Sequence, residues 1–98
     1  MSLNRTQQNI TGQEMRANLV HSGLTETTLA EKLAWDRPRL DAVLNMEDAD
    51  PVDVWQVRDE LLTLISDRGL APEPFTVLTD DAREEAEGWF ELREAPSA

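Results

Sequence analysis

The chain has 98 residues, no cysteine, and 20 acidic against 9 basic side chains. That is enough for one compact helical core, and it excludes disulfides, thiolate metal ligands and a cysteine nucleophile. The formal charge of -11 is unevenly placed, because residues 1–45 hold five acids and five bases whereas residues 46–98 hold fifteen acids and four arginines. Such a field repels nucleic acid and anionic membranes at long range and favours a basic partner, while solubility is the plainer reading of the same excess. The first eight residues lack the apolar stretch of a secretory signal, and no run approaches the roughly 20 apolar residues that span a bilayer. A soluble, cytoplasmic chain with no membrane role is expected.

Turn signals divide the chain into five helical pieces. The first helix is predicted from Asn4, its N-cap, to His21, with Ile10, Ala17 and Val20 on one inward stripe and Met15 and Leu19 beside it. Ser22 and Gly23 close it. The second starts at Thr25 as N-cap and carries Leu29, Ala30 and Leu33 at helical spacing. After a tight turn at Trp35, Asp36 caps a third helix that has Pro38 in its first turn and Leu40, Val43 and Leu44 facing inward. Asp50 as N-cap, Pro51 at the first helical position and Asp53 near the positive end of the dipole mark the fourth helix, closed by Gly69. Val54, Val57, Leu61, Leu64 and Ile65 form its inward face, widened by Trp55 and Leu62. Pro72 and Pro74 forbid a helix, so residues 70–78 are expected to cross the surface extended, anchored by Phe75 and Leu78. The last helix is predicted over about 80–93, with a fraying tail from Glu94.

Residues 22–44 resemble the helix-turn-helix core of the lambda-repressor family. The resemblance rests on Leu29 and Ala30, the turn at Ala34 and Trp35, the capping Asp36, and apolar Leu40 and Val43. Ala34 stands where that family usually has glycine, and Trp35 where it has a smaller aliphatic residue. The whole chain also resembles a family of short bacterial proteins of unknown function. That likeness is carried by Asp50-Pro51-Val52-Asp53-Val54-Trp55, by Thr76-Val77-Leu78-Thr79-Asp80, and by the pair Trp89 and Phe90. The turn signals and periodicity give an all-α domain of five helices over residues 1–98, and the first resemblance implies a lambda-repressor-like helix-turn-helix at about 25–45 within it.

A turn of about 100° per residue places Pro38, Asp41, Ala42 and Asn45 on the outward face of the third helix, with Arg37 and Arg39 on its two flanks. A base-reading face normally offers arginine, lysine, asparagine or glutamine, so Arg37, Arg39 and Asn45 are the candidate contacts to nucleic acid or another anion. Against that reading, Arg37 can pair with Asp41 at i,i+4 and the arginine stems can cover Trp35.

A lone His21 supports no triad and reads as a helix C-terminal residue. Asp48, Asp50, Asp53 and Asp59 superficially resemble a calcium loop, but Val52 and Asp53 occupy positions where a ligand and a glycine are required. No catalytic residue, cofactor or metal is therefore expected. Glu84, Glu85, Glu87 and Glu91 form a solvated acidic face, and Gly88 beside Trp89 would permit close helix contact. Ala82, Ala86, Trp89 and Phe90 line the opposite face of the last helix and are the candidate protein interface, for a homodimer or another partner; an intramolecular lid over the fourth helix is the competing reading. The expectation is a non-catalytic regulatory or protein-interaction module on a helix-turn-helix scaffold. The alternative is a dimeric DNA-binding regulator using the helix at 36–45, and a small-molecule sensor ranks third.

Overall fold

The computed structural model describes residues 4–47 and 49–87. Among these it has five helices: α1 (Arg5–Ser22), α2 (Glu26–Leu33), α3 (Arg37–Asn45), α4 (Pro51–Asp67) and α5 (Asp80–Glu87). The predicted ends of the last helix beyond Glu87, Gly88, and the tail lie outside the described residues.

Each helix starts where a short polar side chain replaces a missing carbonyl partner. Asn4 and Gln7 bond each other's backbone in a capping box, and Thr25, Asp36 and Asp50 accept from the amides of Thr28, Arg39 and Val52. Thr79 does the same for Ala82. The helices end with equal economy. Gly23 turns α1 at φ 77°, and a side chain there would strike the guanidinium of Arg68, which lies against it.

α2 and α3 are joined by Ala34, Trp35 and Asp36, an arrangement compatible with the helix-turn-helix expected here. Ala34 adopts the left-handed conformation, φ 59° and ψ 40°, which costs a residue with a Cβ about 1 kcal/mol or more. Ala34→Gly should therefore raise stability by about 1 kcal/mol and Tm by roughly 4–8 °C. Thermal melts of the pair check this, and an unchanged Tm would show that the turn carries no such strain.

α1 packs on α4 and α3, and α3 in turn packs on α2 and α4. Leu29, Leu40, Val43, Val57, Leu61 and Ile65 are completely buried. α4 is enclosed on most of its circumference, which takes in Trp55 as predicted but also Asp53, Gln56, Arg58 and Glu60. Leu64 and Leu62 are only half-buried.

The inward face of α1 differs from the predicted one. Ile10 and Val20 are exposed, Val20 by 78%, and the buried positions are Thr11, Gly12, Met15, Asn18, Leu19 and Ser22. What covers this face explains the choice. Gly12 lets the carbonyl of Leu44 approach, since a Cβ would stand 3.3 Å from that oxygen. Asn18 meets main chain rather than apolar side chains: Glu73 donates its amide to Oδ1 at 2.8 Å, and Nδ2 donates to the Glu73 carbonyl at 3.1 Å.

Glu73 belongs to the expected extended segment between α4 and α5, which crosses α1 and α4. Thr76 donates its amide to the Glu14 carboxylate. Leu78 is buried and Phe75 half-buried against the core, as predicted. Arg58 of α4 donates to the Leu78 carbonyl at 3.1 Å and to Asp80 at 2.6 Å.

Three buried side chains among the described residues have a polar atom without a partner, Thr11, Gln56 and Glu60, and Glu60 is the ionisable one. It is 2% exposed, and its Oε2 has no hydrogen-bond partner. Burial raises its pKa above the ordinary 4.5, against a lowering contribution from Lys32 and with a small addition from Asp67. As pH rises past 4.5 the unfolded chain gives up this proton before the folded one does, so stability falls through that window and stays lower above it. Glu60→Gln removes the ionisable proton and should raise stability at pH 7, with no gain at pH 4, because the buried carboxamide cannot acquire the charge. Urea denaturation at both pH values is the check. Equal gains at both would place the effect in packing rather than in ionisation.

Candidate contact surface around the third helix

Arg37 and Arg39 follow the Asp36 cap in the first turn of α3, two residues apart, and so leave the helix on opposite flanks. Each is met there by carboxylates of the chain itself. Arg37 donates to Thr27 Oγ1 at 2.9 Å and to Glu26 Oε2 at 2.7 Å, and lies 3.5 Å from Asp41. Arg39 grips Asp53 with two parallel bonds, Nε at 2.8 Å and Nη2 at 2.7 Å, and its guanidinium sits 4.2 Å from the ring centroid of Trp35. Hydrogen bonding to Asp53 raises the pKa of Arg39 further.

The third candidate, Asn45, is exposed at the end of α3, where its Oδ1 accepts from Arg16 Nη2 at 2.6 Å. Arg16 Nη1 in turn donates to Glu26 Oε1 at 3.1 Å. Asn45, Arg16, Glu26, Arg37 and Asp41 therefore form one continuous polar chain across α1, α2 and α3. It contains two guanidinium groups and two carboxylates, so its formal charge cancels. The pairing of Arg37 with Asp41 and the cover of arginine over Trp35 were both readable from local spacing. Arg16, Glu26 and Asp53 were not: they lie 29, 11 and 14 residues from the partners they engage here, and no periodicity links such distant positions.

Beside Arg16 runs a shallow groove of about 290 Å³ between α1 and the end of α3, lined by Gln8, Asn9, Gly12, Gln13, Arg16, Leu44 and Asn45. Leu44 and Gly12 are buried and form its floor. None of these described lining residues is a carboxylate.

The candidate protein interface is only partly described. Ala86 is 1% exposed and Ala82 half-buried, both packed on the chain's own core. Trp89 and Phe90 lie outside the described residues. Outward from the same helix stand Asp80, Asp81, Glu84 and Glu85, all exposed.

The aspartates weighed as a calcium loop have separate tasks: Asp50 caps α4, Asp53 holds Arg39, and Asp59 bonds Arg58 and Arg83, while Asp48 lies outside the described residues. His21 in the last turn of α1 stands 3.3 Å from Glu73. Among the described residues, no group of three or more histidine, aspartate or glutamate side chains is placed to hold a metal ion. No described helix is long and apolar enough to cross a membrane.

Residues 1–91 match the model of DUF2316, a family of uncharacterised proteins conserved in bacteria, and the chain belongs to that family. No curated protein and no solved structure matches it.

Proposed function

We propose that this DUF2316 member is a non-catalytic regulatory module that works through protein contacts, with the α2–α3 pair serving as a helix-turn-helix scaffold rather than as a base reader. One observation carries the reading: Arg37, Arg39 and Asn45, the residues that would have to read DNA, are each bonded to another side chain of the same molecule. To contact bases with the engaged donors, Arg37 and Arg39 would first have to give up these bonds, worth about 1 kcal/mol or less for the exposed Arg37 pair and more for the bidentate, part-buried hold of Arg39 on Asp53. Pro38 and Ala42, between them on the outward face, offer no side-chain donor in return. The negative excess of residues 46–98, including the outward acids of α5, favours a basic partner.

Selection from a random duplex library at low salt tests the proposal. The expected result is no enriched motif, and residual affinity no tighter than the roughly micromolar range of non-specific binding. A palindromic motif that is enriched by the native chain and lost on Arg37→Gln would overturn it in favour of a dimeric DNA-binding regulator. Glutamine is preferred to glutamate for this test because a reversed charge would stand against Glu26 and Asp41 and confound binding with unfolding.

A further inference from the structure

We propose that the groove between α1 and α3 is a binding site for a carboxylate monoanion. The chemistry of its lining points to that class. Asn9 and Gln13 are exposed, with carboxamides that bond none of the described residues. Asn45 uses its carbonyl to accept from Arg16, which leaves its amide hydrogens for a ligand. Arg16 commits one bond from each terminal nitrogen, to Glu26 and to Asn45, out of the five N–H donors of a guanidinium. The wall thus offers several N–H donors, and none of its described lining residues is a carboxylate.

A donor-rich wall asks for an acceptor-rich ligand. Arg16 shares its charge with Glu26, so the groove offers N–H donors rather than surplus charge; that suits a monoanion better than a dianionic phosphate, and planar donors match the planar, two-oxygen edge of a carboxylate. The volume of about 290 Å³ lies at the lower end of ligand pockets. The overall charge of -11 opposes any anion, but residues 1–45, which supply the whole lining, are formally neutral, and at physiological salt charges beyond about 8 Å are largely screened.

The same carboxylate chemistry is offered by a free organic acid and by the C-terminus of a polypeptide, and a titration can separate them. The isotope-labelled chain is titrated with acetate, with N-acetyl-alanyl-alanine, with the C-terminal amide of that dipeptide, and with inorganic phosphate, all at matched ionic strength with sodium chloride as the blank. The amide resonance of Gly12 and the side-chain NH2 resonances of Asn9, Gln13 and Asn45 are followed. Saturable shifts are expected with both carboxylates, at least ten-fold tighter than with the dipeptide amide or phosphate. If the dipeptide acid exceeds acetate ten-fold, the source is a chain terminus; if the two are equal, it is a small acid.

Arg16→Gln should weaken acetate binding at least ten-fold. Gln13→Leu, at an exposed position with no partner among the described residues, should weaken it several-fold while leaving the rest of the spectrum in place. Absence of saturable shifts up to tens of millimolar, shifts reproduced by chloride, or equal response to acid and amide would overturn the site. The duplex selection and this titration can fail independently of each other.

Discussion

Arg58→Ala should lower the stability of the domain by about 3 kcal/mol and its Tm by roughly 12–24 °C, the largest effect expected from any polar side chain in the structure. The side chain is 6% exposed and has three oxygens to serve: the Leu78 carbonyl, Asp59 and Asp80. Its guanidinium also lies 5.5 Å from the ring centroid of Trp55 and 5.9 Å from that of Phe75. Removing it leaves the Leu78 carbonyl without its donor in a buried setting, at about 1–3 kcal/mol, and forfeits the contacts of the aliphatic stem with both rings. The loss falls short of that for a fully enclosed ion pair, because Asp59 keeps Arg83 and Asp80 is 93% exposed. Arg58→Met separates the two contributions, since it restores the stem and not the donors. Denaturant midpoints should place it between the native chain and the alanine variant. If methionine matched the native chain, the hydrogen bonds would carry no net stability.

Asn18→Ala is expected to cost about 2–3 kcal/mol, or roughly 10–20 °C in Tm, since it strands both backbone groups of Glu73 at once. Asn18 is completely buried, and its Nδ2 also donates to the Glu14 carbonyl at 2.9 Å. Aspartate at this site keeps the acceptor for the Glu73 amide but loses the donor and adds a buried charge, so Asn18→Asp should be at least as damaging at pH 7 and should recover part of its stability in mild acid. Calorimetry at pH 7 and pH 5 distinguishes the two. An aspartate variant with a flat pH response would mean that the residue is reached by water and is no latch.

These two positions also mark the boundary of what pattern reading recovers. The start of α4 follows from Asp50 and Pro51, because a cap and a proline act within one turn of themselves. The extended crossing follows from Pro72 and Pro74 for the same reason, and the anchoring of Leu78 follows from its hydropathy. α1 fails the same treatment. Its apolar residues Ile10 and Val20 suggested one face, while the face in use holds Thr11, Gly12, Asn18 and Ser22 beside Met15 and Leu19. Hydrophobic periodicity assumes that a helix is covered by other side chains. Part of α1 is covered by backbone, and backbone demands hydrogen-bonding or very small partners.

The candidate contact surface divides along the same line. The pairing of Arg37 with Asp41 is local and was expected, whereas the hold of Asp53 on Arg39 depends on α3 meeting α4. The two-sided neutralisation of α3, which most weakens the DNA reading, is therefore a tertiary property.

The crossing segment also has a consequence for the order of events during folding. Its hydrogen bonds to α1 join residues 55 and 62 positions apart in sequence, whereas the turn between α2 and α3 closes within a few residues. Loop-closure entropy places such distant bonds late, after the local helical pairs have formed. On that basis the α2–α3 pair is expected to form before the segment that laces α1 to the rest of the chain. Laced structures open in the reverse order, so the amide protons of Glu73 and Thr76 should exchange with solvent through a partial opening that leaves those of Leu61 and Ile65 protected.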